Sequence, residues 1–172
     1  SHFGNTFLHM EVAYAKEDKP LGTGGAILNA LPLVREQQFF ILNGDTIFEI
    51  NLNKLQKVHR EKEADLTLAL RKVQDTSRYG AVTIEDNGRI NGFLEKGEAK
   101  GEGWINGGIY FGNREFFEQI SYHGKFSFEK EVLEKEYRQK SFYGVGFENY
   151  FLDIGIPDDY KRAQHEFKRL GY

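Results

Sequence analysis

The 172-residue sequence contains no cysteine, which excludes a disulfide framework and a thiolate-bound metal site. It also lacks a basic excess: the formal net charge is −3 and both signs are interspersed, whereas a non-specific nucleic-acid binder would show a basic stripe. No apolar run approaches the roughly 18 residues of a membrane span, and the first residues do not resemble a signal peptide. The histidines are scattered without metal-ligand spacing. We therefore expect a cytoplasmic protein that binds neither nucleic acid nor membranes.

One stretch, residues 39–45, is the strongest signal that the sequence does contain. Four large apolar residues run together and stop at Asn43-Gly44-Asp45. An uninterrupted apolar run that ends in turn residues is typical of a strand buried on both faces of a sheet. The carboxyl ends of such strands open onto the ligand crevice of α/β sheets, where a carboxylate can hold a cation and phosphates. Asp45 is therefore a candidate site residue; alternatively, the turn simply ends the strand.

The hydrophobic pattern predicts one α/β domain. A strand over 10–15, a helix opened by the glycines of 22–25, and the strand at 39–45 would form a parallel β-α-β unit. Later strands have hairpin character, because Asp86-Asn87-Gly88 is a strong turn signal. The other predicted elements are helices over 52–63, 114–120 and 127–137 (with Ser127 as N-cap), strands over 65–73, 79–85, 89–96, 104–111, 141–147 and 150–152, and a helix that starts at Pro157.

Two further motifs could carry chemistry. Glycines that precede a helix let the backbone approach a ligand at unpaired N–H groups, although residues 22–25 could also form a tight loop capped by Thr23.

Asp153 ends a second apolar run, so its carboxylate and that of Asp45 would converge if both strands share a sheet. Two carboxylates plus substrate phosphates are the donors that Mg²⁺ usually takes. The alternative for Asp153 is a polar residue between a strand and a helix.

The middle segment contains groups suited to a sugar phosphate. Glu95 and Asn106 can exchange hydrogen bonds with hydroxyls, Lys96 can neutralise a phosphate, and Gly80 would allow close approach. The alternative for Glu95 and Lys96 is a solvated charge pair at the end of a strand.

Taken in order, six motifs resemble the sugar-1-phosphate nucleotidylyltransferases, most of all the branch that makes GDP-sugars. The resemblance covers nearly the whole chain. It implies a Rossmann-like mixed, mainly parallel sheet flanked by helices, with a nucleotide side in residues 1–75 and a sugar-phosphate side in residues 76–172. The motifs are Glu17-x-x-Pro20-Leu21-Gly22-Thr23-Gly24-Gly25-Ala26, Leu42-Asn43-Gly44-Asp45, Arg78-Tyr79-Gly80, Phe93-x-Glu95-Lys96, Asn106-Gly107-Gly108-Ile109-Tyr110 and Phe151-Leu152-Asp153-Ile154-Gly155-Ile156-Pro157.

The resemblance also implies an activity. A nucleotidyl group would pass from a nucleoside triphosphate, expected to be GTP, to a sugar 1-phosphate of the heptose or mannose type, with release of pyrophosphate, in the biosynthesis of cell-surface polysaccharides. The implied catalytic residues are Asp45, Asp153 and Lys96, the first two as ligands of Mg²⁺ and the third on the sugar phosphate. The implied nucleotide-binding residues are Gly22, Thr23 and Gly44, and the implied sugar-phosphate-binding residues are Gly80, Glu95 and Asn106.

The sequence departs from that family in one respect. The family begins with a strand, a loop of the form Gly-Gly-x-Gly-Thr-Arg that holds the nucleotide phosphates, and a Pro-Lys-Pro segment, and none of these motifs occurs here. We therefore expect an N-terminally truncated single domain that is inactive on its own. The competing interpretation is a non-catalytic domain that binds a nucleotide or sugar phosphate, or a subunit completed by another chain. The base, the sugar, and whether the chain forms a homo-oligomer stay open.

Overall fold

A computed structural model describes residues 4–77, 79–95, 97–155 and 157–170. A 3₁₀ turn at Leu31–Leu33 and a π-helical segment at Glu129–Leu133 accompany the regular elements. The helices are α1 (Gly22–Ala30), α2 (Leu52–Glu61), α3 (Arg114–Glu118), α4 (Glu134–Glu136) and α5 (Pro157–Leu170). The strands are β1 (Thr6–Phe7), β2 (Met10–Glu11), β3 (Gln38–Leu42), β4 (Thr46–Phe48), β5 (Leu66–Val73), β6 (Ala81–Ile84), β7 (Ile90–Leu94), β8 (Gly103–Asn113), β9 (Phe142–Phe147) and β10 (Phe151–Asp153).

A six-stranded mixed sheet forms the centre of the molecule and confirms the predicted α/β class. Its order is β7-β6-β8-β5-β9, and β3 pairs with β8 beside this path. The long strand β8 pairs with β5 along one edge and, along the other, with β6 near its start and β3 near its end. In the described ranges β5 and β9 run parallel and the other pairs of this sheet are antiparallel, so the sheet is mixed as expected but not mainly parallel. Strand β8 therefore pairs with strands from both predicted halves of the chain, residues 1–75 and residues 76–172.

The predicted parallel β-α-β unit is wrong. Strand β3 pairs antiparallel with β8, while among the described residues β2 pairs only with β1, in a separate exposed hairpin. This hairpin closes locally, because Val12 N donates to Asn5 O at 2.8 Å and the Tyr14 hydroxyl donates to Gly4 O at 2.9 Å. Strand β2 therefore stops at Glu11, well short of the predicted end at residue 15.

Strand β3 forms where the sequence predicts it, but it is not buried on both faces. Phe39, Phe40 and Ile41 are half-buried, and Leu42 keeps 55% of its surface exposed. Within the described part of the chain β3 is paired only with β8, so its other edge lacks a neighbouring strand. The apolar run therefore correctly predicted a strand and overestimated its burial.

The core lies on both faces of the sheet. Leu66, Leu68 and Leu70 of β5 face a cluster that also contains α3 and the segment around 126–133, while Ala69 faces a second cluster under α2. Helix α2 is amphipathic as predicted, and Leu55 on its inner face is fully buried. The hairpin of β6 and β7, the helices α2, α3 and α5, and strands β5 and β8–β10 also form near their predicted positions. No helix in the described ranges has the length and apolar character needed to cross a membrane.

One of the histidines without metal-ligand spacing, His59 on α2, is buried and has a structural role. The His59 ring is 1% exposed, its Nε2 lies 3.1 Å from Asn113 Oδ1, and its Nδ1 lies 2.9 Å from Thr67 Oγ1. Because an amide oxygen can only accept, Nε2 carries the proton and Nδ1 accepts from the hydroxyl. The neutral ring thus satisfies both bonds, and burial lowers the pKa of His59 below its usual 6.5.

We predict that His59 makes the fold acid-sensitive. The unfolded chain takes up a proton near pH 6.5 that the folded ring resists, so stability present above that pH is lost as the pH falls below it. Thermal unfolding from pH 8 to 5 should show this loss in the wild type and a smaller one in His59→Gln, whose amide can still donate and accept. His165→Gln, at an exposed position on α5, is the control and should keep the wild-type slope. Identical slopes in all three proteins would contradict the assignment.

Candidate active site

Asp45 and Asp153 lie at the same end of a short antiparallel ladder. After β3 ends, the chain turns through residues 43–45 into β4, which pairs with β10 so that Asp153 is opposite Thr46. Ile154 N donates to Asp45 O at 2.9 Å, which ties the two acidic positions together at the backbone. The backbones of Asp45 and Asp153 are therefore close, although β10 pairs with β4 in a separate two-stranded sheet and does not share the sheet of β3.

The two carboxylates suit a divalent cation that is shared with phosphates. Asp45 is exposed, and its Oδ1 accepts from the Thr46 hydroxyl at 3.4 Å. Asp153 is half-buried, and its Oδ1 accepts from Gly155 N at 2.7 Å. One oxygen of each carboxylate is outside these bonds and can serve as a ligand. In the described ranges no group of three or more acidic, histidine or cysteine residues gathers, so a cation here would need substrate phosphates and water as further ligands.

A cleft of ≈ 540 Å³ opens beside the β6–β7 hairpin and the middle of β8. It brings together the three predicted sugar-phosphate residues Gly80, Glu95 and Asn106, which come from different strands or their ends. Lys96, the predicted phosphate contact, lies outside the described residues. Polar side chains without a predicted ligand-binding role also line the cleft, and they are Asn43, Tyr79, Tyr110, Ser127, Glu129, Lys130 and Glu134.

Gly108 joins the turn at 43–45 to the cleft. Its φ is +72°, and its backbone oxygen accepts from Asn43 N at 2.8 Å. Its own N–H donates to Asn106 Oδ1 at 3.0 Å. A Cβ at this position would lie 2.8 Å from Asn43 Nδ2, which is closer than real Cβ contacts. Residue 108 must therefore be glycine for β8 to approach the turn that carries Asp45.

The glycine-rich segment is shaped by contacts within the protein. Gly22 opens α1 with a φ of +71°, and a Cβ there would lie 2.5 Å from Phe126 O. Gly24 N donates to the same oxygen at 3.1 Å. Packing against residues 124–126 therefore accounts for these glycines without a ligand, although they form the first turn of α1 rather than the alternative tight loop. Gly44 differs, since a Cβ there would meet nothing within 4 Å.

The Thr23 hydroxyl has two partners far away in sequence. It accepts from Phe128 N at 2.8 Å and donates to Glu129 Oε2 at 2.6 Å. The alternative in which Thr23 caps the glycine-rich loop is wrong, because α1 begins without a side-chain cap. The predicted roles of Gly22, Thr23 and Gly44 in nucleotide binding stay predictions.

Sequence reasoning missed Glu129, which proves to be central to the cleft. The predicted helix over 127–137 is instead a π-helical segment followed by α4, and π-helical turns are frequent at functional sites. Ser127 does act as a capping side chain, because its hydroxyl accepts from Lys130 N at 3.3 Å and donates to Glu129 Oε2 at 2.8 Å. Glu129 follows one residue after that predicted cap, but the helical period did not show that it points inward.

The fold and site define a nucleotidyl transferase: the chain belongs to the nucleotidyl transferase family, whose profile matches residues 1–169. This confirms the family resemblance found in the sequence.

Proteins similar to this chain include several guanylyltransferases. The chain is 47% identical over 168 residues to a D-glycero-α-D-manno-heptose 1-phosphate guanylyltransferase of Aneurinibacillus thermoaerophilus, covering 98% of this chain and 72% of the relative. It is 40% identical to the enzyme of that name from Campylobacter jejuni, and the match covers 92% of this chain and 69% of the relative. It is 32% identical to a mannose-1-phosphate guanylyltransferase of Mycobacterium tuberculosis, and the match covers 98% of this chain and 48% of the relative. The crystal structure of HddC from Yersinia pseudotuberculosis complexed with GMP-PN is similar with a TM-score of 0.80 and 36% identity, covering 93% and 68%. A second HddC structure gives 0.76 and 38%, covering 88% and 64%.

We predict that Gly108→Ala destabilises the protein more than Gly124→Ala does. Both glycines have nearly the same φ, +72° and +74°, but only at 108 would the new methyl group meet a neighbouring side chain, that of Asn43. The shared φ cost of about 1 kcal/mol cancels, and the close contact should add roughly 1–2 kcal/mol. Urea unfolding of both variants measures the difference. Equal losses of unfolding free energy would show that the Asn43 side chain can move away from residue 108 without cost, which would contradict the prediction.

Proposed function

We propose that the chain supplies the catalytic site for transfer of a guanylyl group from GTP to a sugar 1-phosphate of the heptose or mannose type, forming a GDP-sugar and pyrophosphate. The observation that supports this best is the placement of Asp45 and Asp153 at the same end of one ladder, joined by Asn43 and Gly108 to the polar cleft. The names of the relatives, two heptose 1-phosphate guanylyltransferases and an HddC complexed with GMP-PN, support the choice of substrates.

The proposed chemistry needs charge neutralisation and positioning more than proton transfer. The sugar-phosphate oxygen that attacks the α-phosphorus is already an anion, so no general base is required, and pyrophosphate leaves with the bonding electrons. Asp45 and Asp153 would hold Mg²⁺, which when bound neutralises phosphate charge. Glu95, Asn106 and Gly80 would bind and orient the sugar in the cleft.

The remaining assignments belong to the same proposal. Gly22, Thr23 and Gly44 would lie on the nucleotide side, and Lys96 would contact the sugar phosphate. A GTP-dependent enzyme fits a cytoplasmic location, and its GDP-sugar product fits a supply route to cell-surface polysaccharides. A non-catalytic binding domain is the competing function, and it would bind both ligands without turnover.

We predict that Asp45→Asn nearly abolishes turnover in the full natural polypeptide that contains this chain. The amide keeps the shape and loses the charge that would hold Mg²⁺, and because Asp45 is exposed the fold should keep its stability. Pyrophosphate release from GTP with mannose or heptose 1-phosphate measures the effect, and Asp86→Asn, at an exposed hairpin turn, is the control. A variant that keeps more than about a tenth of the wild-type rate, a loss below about 1.4 kcal/mol, would refute the metal role.

We also predict that Glu95→Gln acts on one substrate only. Loss of a charged acceptor for sugar hydroxyls removes about 1–3 kcal/mol of hydrogen bonding, so KM for the sugar 1-phosphate should rise about tenfold or more. KM for GTP should stay within about threefold, because Glu95 lies at the end of β7 in the cleft and outside the glycine-rich segment. Glu85→Gln, at the turn of the same hairpin, should leave both values unchanged. Equal weakening of both substrates by Glu95→Gln would remove Glu95 from the sugar side.

A further inference from the structure

The Glu129 carboxylate accepts hydrogen bonds from three hydroxyl groups. Its Oε2 accepts from Thr23 at 2.6 Å and from Ser127 at 2.8 Å, and its Oε1 accepts from Tyr110 at 3.4 Å. The carboxylate is half-buried and lines the cleft. Hydrogen bonds to a charged acceptor are stronger than neutral ones, so this group can fix the orientation of several elements at once.

The three donors come from separate parts of the fold. Thr23 lies in the first turn of α1, Ser127 precedes the π-helical segment, and Tyr110 lies in β8. The Tyr110 hydroxyl in turn accepts from Asn106 Nδ2 at 2.7 Å. Glu129 thus joins the glycine-rich segment, predicted to face the nucleotide, to Asn106, predicted to face the sugar.

The proton positions in this network depend on a carboxylate at its centre. Thr23 accepts from Phe128 N and Tyr110 accepts from Asn106, so the single proton of each hydroxyl is left to point at Glu129. Burial raises the pKa of the Tyr110 phenol far above its usual value, which keeps that donor protonated. An amide in place of the carboxylate could accept at one end only, and its NH₂ group would face a hydroxyl proton at the other.

We propose that Glu129 is a positioning residue that couples the start of α1 to Asn106 in the cleft through Thr23 and Tyr110, so that nucleotide affinity and sugar-phosphate affinity depend on each other. This inference rests on the proposed function for the identity of the two ligands. It implies that the nucleotide side in residues 1–75 and the sugar-phosphate side in residues 76–172 do not bind their substrates independently.

A double-mutant cycle tests the coupling in the full natural polypeptide. Calorimetry gives Kd for GTP and for mannose 1-phosphate in the wild type, Thr23→Val, Tyr110→Phe and the double variant, each without and with Glu129→Gln. Tyr110→Phe should raise Kd for GTP at least about threefold although Tyr110 lies on the sugar side. The effects of Thr23→Val and Tyr110→Phe on Kd for GTP should be non-additive by a similar factor. In the Glu129→Gln background these effects should become additive. A residue that only supported the fold would lower the unfolding temperature without producing this pattern.

Glu131→Gln is the matched control, because this carboxylate is two residues away, pairs with Lys135 and is not part of the cleft lining. It should leave both Kd values near wild type. Additive effects, or GTP affinity unchanged in Tyr110→Phe, would overturn the coupling and leave the proposed function standing. A wild type that binds neither ligand would overturn both. If Glu129→Gln fails to fold, the cycle between Thr23 and Tyr110 still decides.

Discussion

The site depends on one close approach between backbones, that of β8 to the turn at residues 43–45. Asn43 N donates to Gly108 O at 2.8 Å, and a Cβ at residue 108 would lie 2.8 Å from Nδ2 of the Asn43 side chain. Strand β8 is also the strand on which β3, β5 and β6 all pair. The backbone contact at Gly108 therefore connects the turn that carries Asp45 to the strand that carries Asn106.

Several polar groups that line the cleft are held by hydrogen bonds to other protein groups. Thr23, Tyr110 and Ser127 all point at Glu129, and Asn106 is divided between Tyr110 and Gly108. In the part of the chain that the structure describes, no buried side-chain nitrogen or oxygen lacks a partner. A preorganised network of this kind costs little reorganisation when a substrate binds, which suits a reaction that rests on positioning.

The sequence predicted most of the elements because their signals are local. The apolar run before Asp45, the turn at residues 86–88 and the periodicity of α2 each depend on neighbours within a few residues, and the structure has a strand, a hairpin and a helix there. The motifs also predicted that Asp45 and Asp153 come together, and that Gly80, Glu95 and Asn106 share a cleft.

What could not be predicted was decided by contacts between distant residues. Nothing local to β3 shows that its partner is an antiparallel strand some seventy residues later, or that one of its edges is unpaired in the described ranges. The partners of Thr23 lie 105 and 106 positions away, and those of His59 lie on two other elements. The hydrophobic periodicity of a sequence indicates which face of a helix is buried, but it does not indicate which polar group a side chain will contact. Glu129 and His59 therefore looked like ordinary helix residues.

The central claim is that Asp45 and Asp153 hold one divalent cation between the two substrates. A crystal structure of the full natural polypeptide with Mn²⁺ in place of Mg²⁺, a non-hydrolysable GTP analogue and mannose 1-phosphate tests it most directly, because anomalous scattering locates the metal. The account predicts a Mn²⁺ peak within about 2.4 Å of an oxygen from each carboxylate and in contact with phosphate oxygens. A metal bound only by phosphates and water, or by one of the two aspartates, would contradict it.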